Sequence, residues 1–109
     1  MLKEVIQKNK EQFLTLCKSY GVKTLFVFGS AANGHFKDNS DLDFVVELSE
    51  KDPVNRGELL MSLWDKLEKF FNRKADLLTD NSIRNPYLRK EIEDTKKMVY
   101  DGSKEEILL

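Results

Sequence analysis

Little in this chain invites covalent cross-linking or soft-metal binding. Cys17 is the only cysteine in 109 residues, so no internal disulfide can form and a reducing, cytoplasmic setting is expected. Its neighbours Phe13, Leu14 and Leu16 predict a packed thiol rather than a reactive one. His35 is the only histidine; with one distant cysteine it does not make a zinc site, and an exposed loop histidine is the plain expectation. The chain also lacks a charge of one sign. Lys and Arg number 18 against 19 Asp and Glu, for a net charge of -1, so the basic excess of charge-driven nucleic-acid binding is absent and no direct contact with nucleic acid is expected. No apolar run is long enough to span a bilayer, and the opening Met1-Leu2-Lys3-Glu4 does not read as a signal peptide, so no membrane association is expected. Without repeats, linkers or low-complexity stretches, residues 1–109 read as one small domain with a single core.

What is present alternates between helical and extended periodicity. Leu2, Val5, Ile6, Phe13, Leu16, Cys17 and Tyr20 fall near one stripe of a helix over residues 2–20. Gly21 follows where a left-handed cap is expected. A strand is predicted over about 23–28, a loop with at most one helical turn at Ser30-Ala31-Ala32, and a second strand over about 41–47. After a loop around Pro53, a helix over about 55–71 buries Leu59, Leu60, Leu63, Trp64, Leu67, Phe70 and Phe71. A third strand covers about 75–79. Asn85-Pro86 starts a further helix, with Asn as cap and Pro at the first position. Met98-Val99-Tyr100 predicts a short edge strand, followed by a solvated charged tail ending in an apolar Ile107-Leu108-Leu109. This order implies an α/β or α+β layer domain, a mixed sheet backed by helices.

Chemistry is concentrated in Val27-Phe28-Gly29-Ser30, ten residues, then Asp41-Leu42-Asp43. Side chains two apart on a strand share a face, so Asp41 and Asp43 aim two carboxylates at one place while Leu42 turns away. Like charges so close repel, and a divalent cation relieves that repulsion. The Gly29-Ser30 pair at a strand end permits close approach of the backbone to a phosphate. If the third strand lies beside the second, Asp76 joins the same side, and three carboxylates can hold divalent ions together with substrate phosphates. Two calcium- and phosphate-loop patterns are rejected. Gly29 to Gly34 has P-loop spacing, but His35-Phe36 replace the required Lys and Ser/Thr. Asn39, Asp41, Asp43 and Glu50 match EF-hand positions, but Phe44 stands where glycine is needed.

These residues resemble the signature of the polymerase-β-type nucleotidyltransferases, and most of all the minimal nucleotidyltransferase (MNT) antitoxins that pair with HEPN toxins. The similarity spans nearly the whole chain: Tyr20-Gly21-Val22-Lys23 into Leu25-Phe26-Val27-Phe28-Gly29-Ser30, then Ser40-Asp41-Leu42-Asp43-Phe44-Val45-Val46, Arg73-Lys74-Ala75-Asp76-Leu77-Leu78-Thr79, and Asn85-Pro86-Tyr87-Leu88. The resemblance implies a polymerase-β-like nucleotidyltransferase fold and transfer of AMP from ATP to a hydroxyl, typically a tyrosine of the partner toxin. On this sequence it implies that Gly29 and Ser30 hold the nucleotide. It implies that Asp41, Asp43 and Asp76 are catalytic and bind Mg2+ (or Mn2+), with Asp76 also helping to deprotonate the acceptor. One departure is visible. The family places arginines soon after Gly-Ser, where this chain reads Ala31-Ala32-Asn33-Gly34, and neither Ala nor Asn replaces a bidentate guanidinium. Lys37, Arg73 and Arg84 are the cations that could take their place.

Two functions therefore stand side by side. One is a metal-dependent protein adenylyltransferase that silences a HEPN toxin; the other is an antitoxin of the same fold that neutralises the toxin by binding. An enzyme acting on a small molecule or an RNA end is a third, for which the chain is short. The Arg-x4-6-His motif of the HEPN ribonucleases is absent, because no Arg precedes His35. Tyr87 could stack on a base or touch a partner, with packing the plainer expectation.

Overall fold

The computed structural model describes residues 2–33 and 41–109. His35 and Lys37 lie outside them. The chain begins with α1 (Leu2–Lys8) and α2 (Lys10–Ser19). The single helix expected over 2–20 is broken at Asn9, whose side-chain amide donates to the Val5 carbonyl (3.1 Å) instead of leaving the backbone ladder undisturbed. Gly21 has φ +64°, as a left-handed cap requires. Next come β1 (Val22–Phe28), the short α3 (Ser30–Asn33), β2 (Leu42–Leu48) and α4 (Pro53–Phe71). Pro53 is not in a loop. It opens α4 behind the Asp52 cap, whose carboxylate accepts from the Asn55 N–H. Then follow β3 (Ala75–Leu78), a 3-10 turn over Asp80–Ser82, α5 (Pro86–Thr95), β4 (Lys97–Asp101) and β5 (Glu106–Ile107). Asn85 caps α5 as expected, accepting from the Tyr87 and Leu88 N–H groups.

The sheet is mixed, in the order β3-β2-β1-β4-β5. Among the described residues only the β2–β3 pair is parallel, and α4 makes its crossover. The 97–101 strand is therefore interior rather than at an edge. The charged tail adds β5, with Ile107 paired to Tyr100 and packed on the core.

One face of the sheet is closed. Leu25, Val27, Leu42, Phe44, Val46, Leu77 and Val99 meet Ile6, Phe13, Cys17, Leu63, Leu67 and Phe71 from α1, α2 and α4. Phe71 stacks on Phe44 with centroids 5.8 Å apart. Cys17 is fully buried here, and burial pushes its thiol up to about 12, so it is packed and unreactive as expected. The opposite face carries a smaller cluster, in which Ile83 and Ile92 rest on Phe28 with Val45, Leu78 and Leu88 around them. That cluster seats α5 across the middle of the open face.

Candidate functional site

The acids sit where strand alternation places them. Leu42 is buried in the closed face, while Asp41, just before β2, is exposed and Asp43 is half-buried. In the parallel β2–β3 register Asp43 is the direct partner of Asp76, and on the other side Asp43 is the partner of Phe28 at the end of β1. Asp43 and Asp76 thus lie side by side on one face, with the Gly29 turn immediately beyond. Burial first, then the charges of Asp76, Glu91 and Asp41, push the Asp43 carboxyl up from 3.8 to about 6. Among the described residues no three or more His, Cys, Asp or Glu side chains are already arranged to hold an ion. The acids are neighbours in register and in field rather than a preformed cage. Their mutual repulsion is nevertheless what a divalent cation would relieve, and an all-oxygen donor set suits Mg2+ or Mn2+.

Gly29 is the hinge between the strand and the phosphate-binding candidate Ser30. Its φ is +71°, and a Cβ built there would stand 3.1 Å from Asp43 Oδ2. The left-handed backbone angle favours glycine, and a Cβ would push the Asp43 carboxylate aside by a few tenths of an ångström. The Ala32 N–H donates to the Gly29 carbonyl (3.1 Å), closing the turn into α3 with half-buried Ser30 at its start.

Several residues that support the site were not visible as motifs. Trp64 was expected simply as core. Its Nε1–H also donates to the Ala75 carbonyl (2.6 Å), and Glu68 accepts from the Ala75 N–H (2.9 Å). Two side chains of α4 thereby fix the backbone of the residue before Asp76. On α5, Glu91 lends its charge to the Asp43 environment. Thr95 Oγ1 accepts from the Gly29 N–H (3.0 Å) and donates to the Glu91 carbonyl (2.7 Å). Glu91 lies in a helix whose start is legible at Asn85-Pro86, but nothing in its spacing points to the Asp43 site. Tyr87 is not packed: it is 84% exposed. Of the substitute cations, Arg73 is half-buried after α4 and Arg84 is exposed ahead of α5. A hollow of about 540 Å³ on the same face, lined by Thr24, Val45, Glu47, Arg56 and Arg89 among others, contains none of the acids. The acids lie at the other end of β2, beside the Gly29 turn.

Residues 3–105 match the family model described as "Polymerase beta, Nucleotidyltransferase". A relative from Methanocaldococcus jannaschii, named "Putative protein adenylyltransferase MJ1379", is 40% identical over 93 residues, covering 85% of this chain and 89% of the relative. Among solved structures, a toxin–antitoxin crystal structure with AMP-PNP aligns with TM-score 0.61 at 23% identity, covering 85% of this chain and 73% of that one. A tri-AMPylated Shewanella oneidensis HEPN toxin in complex with MNT antitoxin provides a match with TM-score 0.52 at 20% identity, covering 90% of this chain and 74% of that one. At these identities the two structures share the fold with this chain.

Proposed function

The chain belongs to the polymerase-beta nucleotidyltransferase family, and from that premise we propose that it is an antitoxin that transfers AMP from ATP to a tyrosine hydroxyl of a partner HEPN toxin. The observation that carries the reading is the Asp43–Asp76 pairing in adjacent parallel strands, beside a Gly29 turn where an added Cβ would crowd the Asp43 carboxylate. The relative described as a protein adenylyltransferase supports the reaction class. The toxin–antitoxin neighbours, one with AMP-PNP and one with an AMPylated HEPN toxin, support the nucleotide and the partner.

Asp41, Asp43 and Asp76 would hold two divalent ions, Mg2+ or Mn2+. Bound there, such ions neutralise charge on the transferred phosphate and on the departing pyrophosphate. The chain's own residues do the rest. Gly29 lets the backbone approach the distal phosphates, and Ser30 holds them. Asp76 is exposed on the border strand, so the acceptor approaches from its side. As the acceptor oxygen forms its bond to the α-phosphorus and the bond to pyrophosphate breaks, Asp76 receives the hydroxyl proton. Catalysis is then chiefly positioning and charge neutralisation.

The test mixes the chain with ATP, Mg2+ and the HEPN toxin and weighs the toxin intact. AMP-sized additions that fall by about 10²-fold or more in Asp41→Asn/Asp43→Asn are expected. A toxin that is inhibited yet unmodified overturns the transferase reading. It would support the second one, neutralisation by binding, which Ala31 and Asn33 at the family's arginine positions favour.

A further inference from the structure

Gly29 does not hold its conformation alone. Its N–H, at the point where the chain leaves β1 and turns into α3, donates to Thr95 Oγ1 at 3.0 Å, across 66 residues of sequence. The hydroxyl of Thr95 in turn donates to the Glu91 carbonyl at 2.7 Å, which fixes the direction of its lone pairs. The last turn of α5 is thus tied to the turn that abuts Asp43. Helix α5 itself is anchored on the open face by Ile92, which packs with Phe28 and Ile83. A buried glycine amide has few alternatives for its hydrogen, and an unmade bond there costs more than the bond contributes.

We propose that Thr95 is a positioning residue for nucleotide binding: its hydroxyl pins the Gly29 amide and so sets the turn that presents Ser30 to the phosphates. The inference rests on the nucleotide reading of Gly29 and Ser30 given above, and adds to it a residue from a distant element. Thr95 touches neither substrate nor the reacting atoms. It acts through Gly29.

The test compares Thr95→Val, which keeps the shape and removes the hydroxyl, with Thr95→Ser, which restores it. Two readouts are taken: exchange of the Gly29 amide hydrogen, and affinity for Mg-ATP by calorimetry. Thr95→Val is expected to lose protection at Gly29 and to bind Mg-ATP more weakly by roughly two- to tenfold, while Thr95→Ser recovers both. If Thr95→Val fails to fold, Thr95→Ala takes its place beside Thr95→Ser. Protection lost without any change in affinity overturns the proposal, as does a Thr95→Ser protein that behaves like Thr95→Val. Wild-type protein that shows the protected amide but does not bind Mg-ATP instead defeats the nucleotide reading on which the proposal rests.

Discussion

The two faces of the sheet are built from alternate residues of the same strands and serve opposite ends. On β2, Leu42, Phe44 and Val46 point into a layer closed by three helices. Asp43, Val45 and Glu47 point the other way, where α5 covers the middle and leaves the acids at one end. The closed face gathers apolar area and aromatic contacts, and sets stability. The acid end of the open face gathers like charge beside a glycine turn, and works against stability. A strand that alternates so sharply allows the charged cluster to be held rigidly by packing that the cluster itself does not supply.

Substitutions on each face sharpen that contrast. Phe44→Ala, a fully buried ring stacked on Phe71, is expected to lower unfolding free energy by about 3–5 kcal/mol in urea denaturation. The surviving folded fraction should keep its affinity for Mg-ATP. A Phe44→Ala protein of normal stability would break the assignment of stability to the closed face. Gly29→Ala places a methyl at φ +71° and against Asp43 Oδ2. It is expected to cost ~1–2 kcal/mol in thermal unfolding and to weaken nucleotide binding as well, since it touches the open face.

The smallest effect is a gain. With the Asp43 carboxyl raised to about 6 in the folded metal-free protein against 3.8 unfolded, the folded state binds the proton more tightly. The stability this contributes is present below about pH 4 and is lost as pH rises through 6. Asp43→Asn is therefore expected to raise the metal-free protein's stability near pH 7 and to flatten its dependence between pH 4 and 6. The gain should be ~1 kcal/mol, since solvent screens a half-exposed carboxylate. Denaturation curves at several pH values read this directly. A variant less stable than wild type at pH 7 would show that the open face is not strained by its charge.

What could be read from the sequence divides along the same line. The alternation around Leu42, the cap pair Asn85-Pro86 and the glycine after Tyr20 are local signals, and the structure bears them out. The pairing of Asp43 with Asp76 was a conditional expectation that needed β3 to lie beside β2, and the parallel register meets the condition. The break at Asn9 escaped because the apolar stripe continues through it while one amide side chain redirects the backbone. The interior position of β4 escaped because β5 is only two residues long and sits in a charged stretch with no strand pattern. Glu91 and Thr95 reach the site through tertiary packing of α5, which no spacing rule connects to Gly29.

The grip of α4 on Ala75 also occupies part of the sheet's border. A border strand normally offers free N–H and C=O groups on which a second copy can build a continuous ribbon. At β3 the first such pair is already taken, by Glu68 and by Trp64, and at the opposite border β5 is two residues long. Asp76 thus stands on an outermost strand whose first outward-facing backbone groups are already occupied.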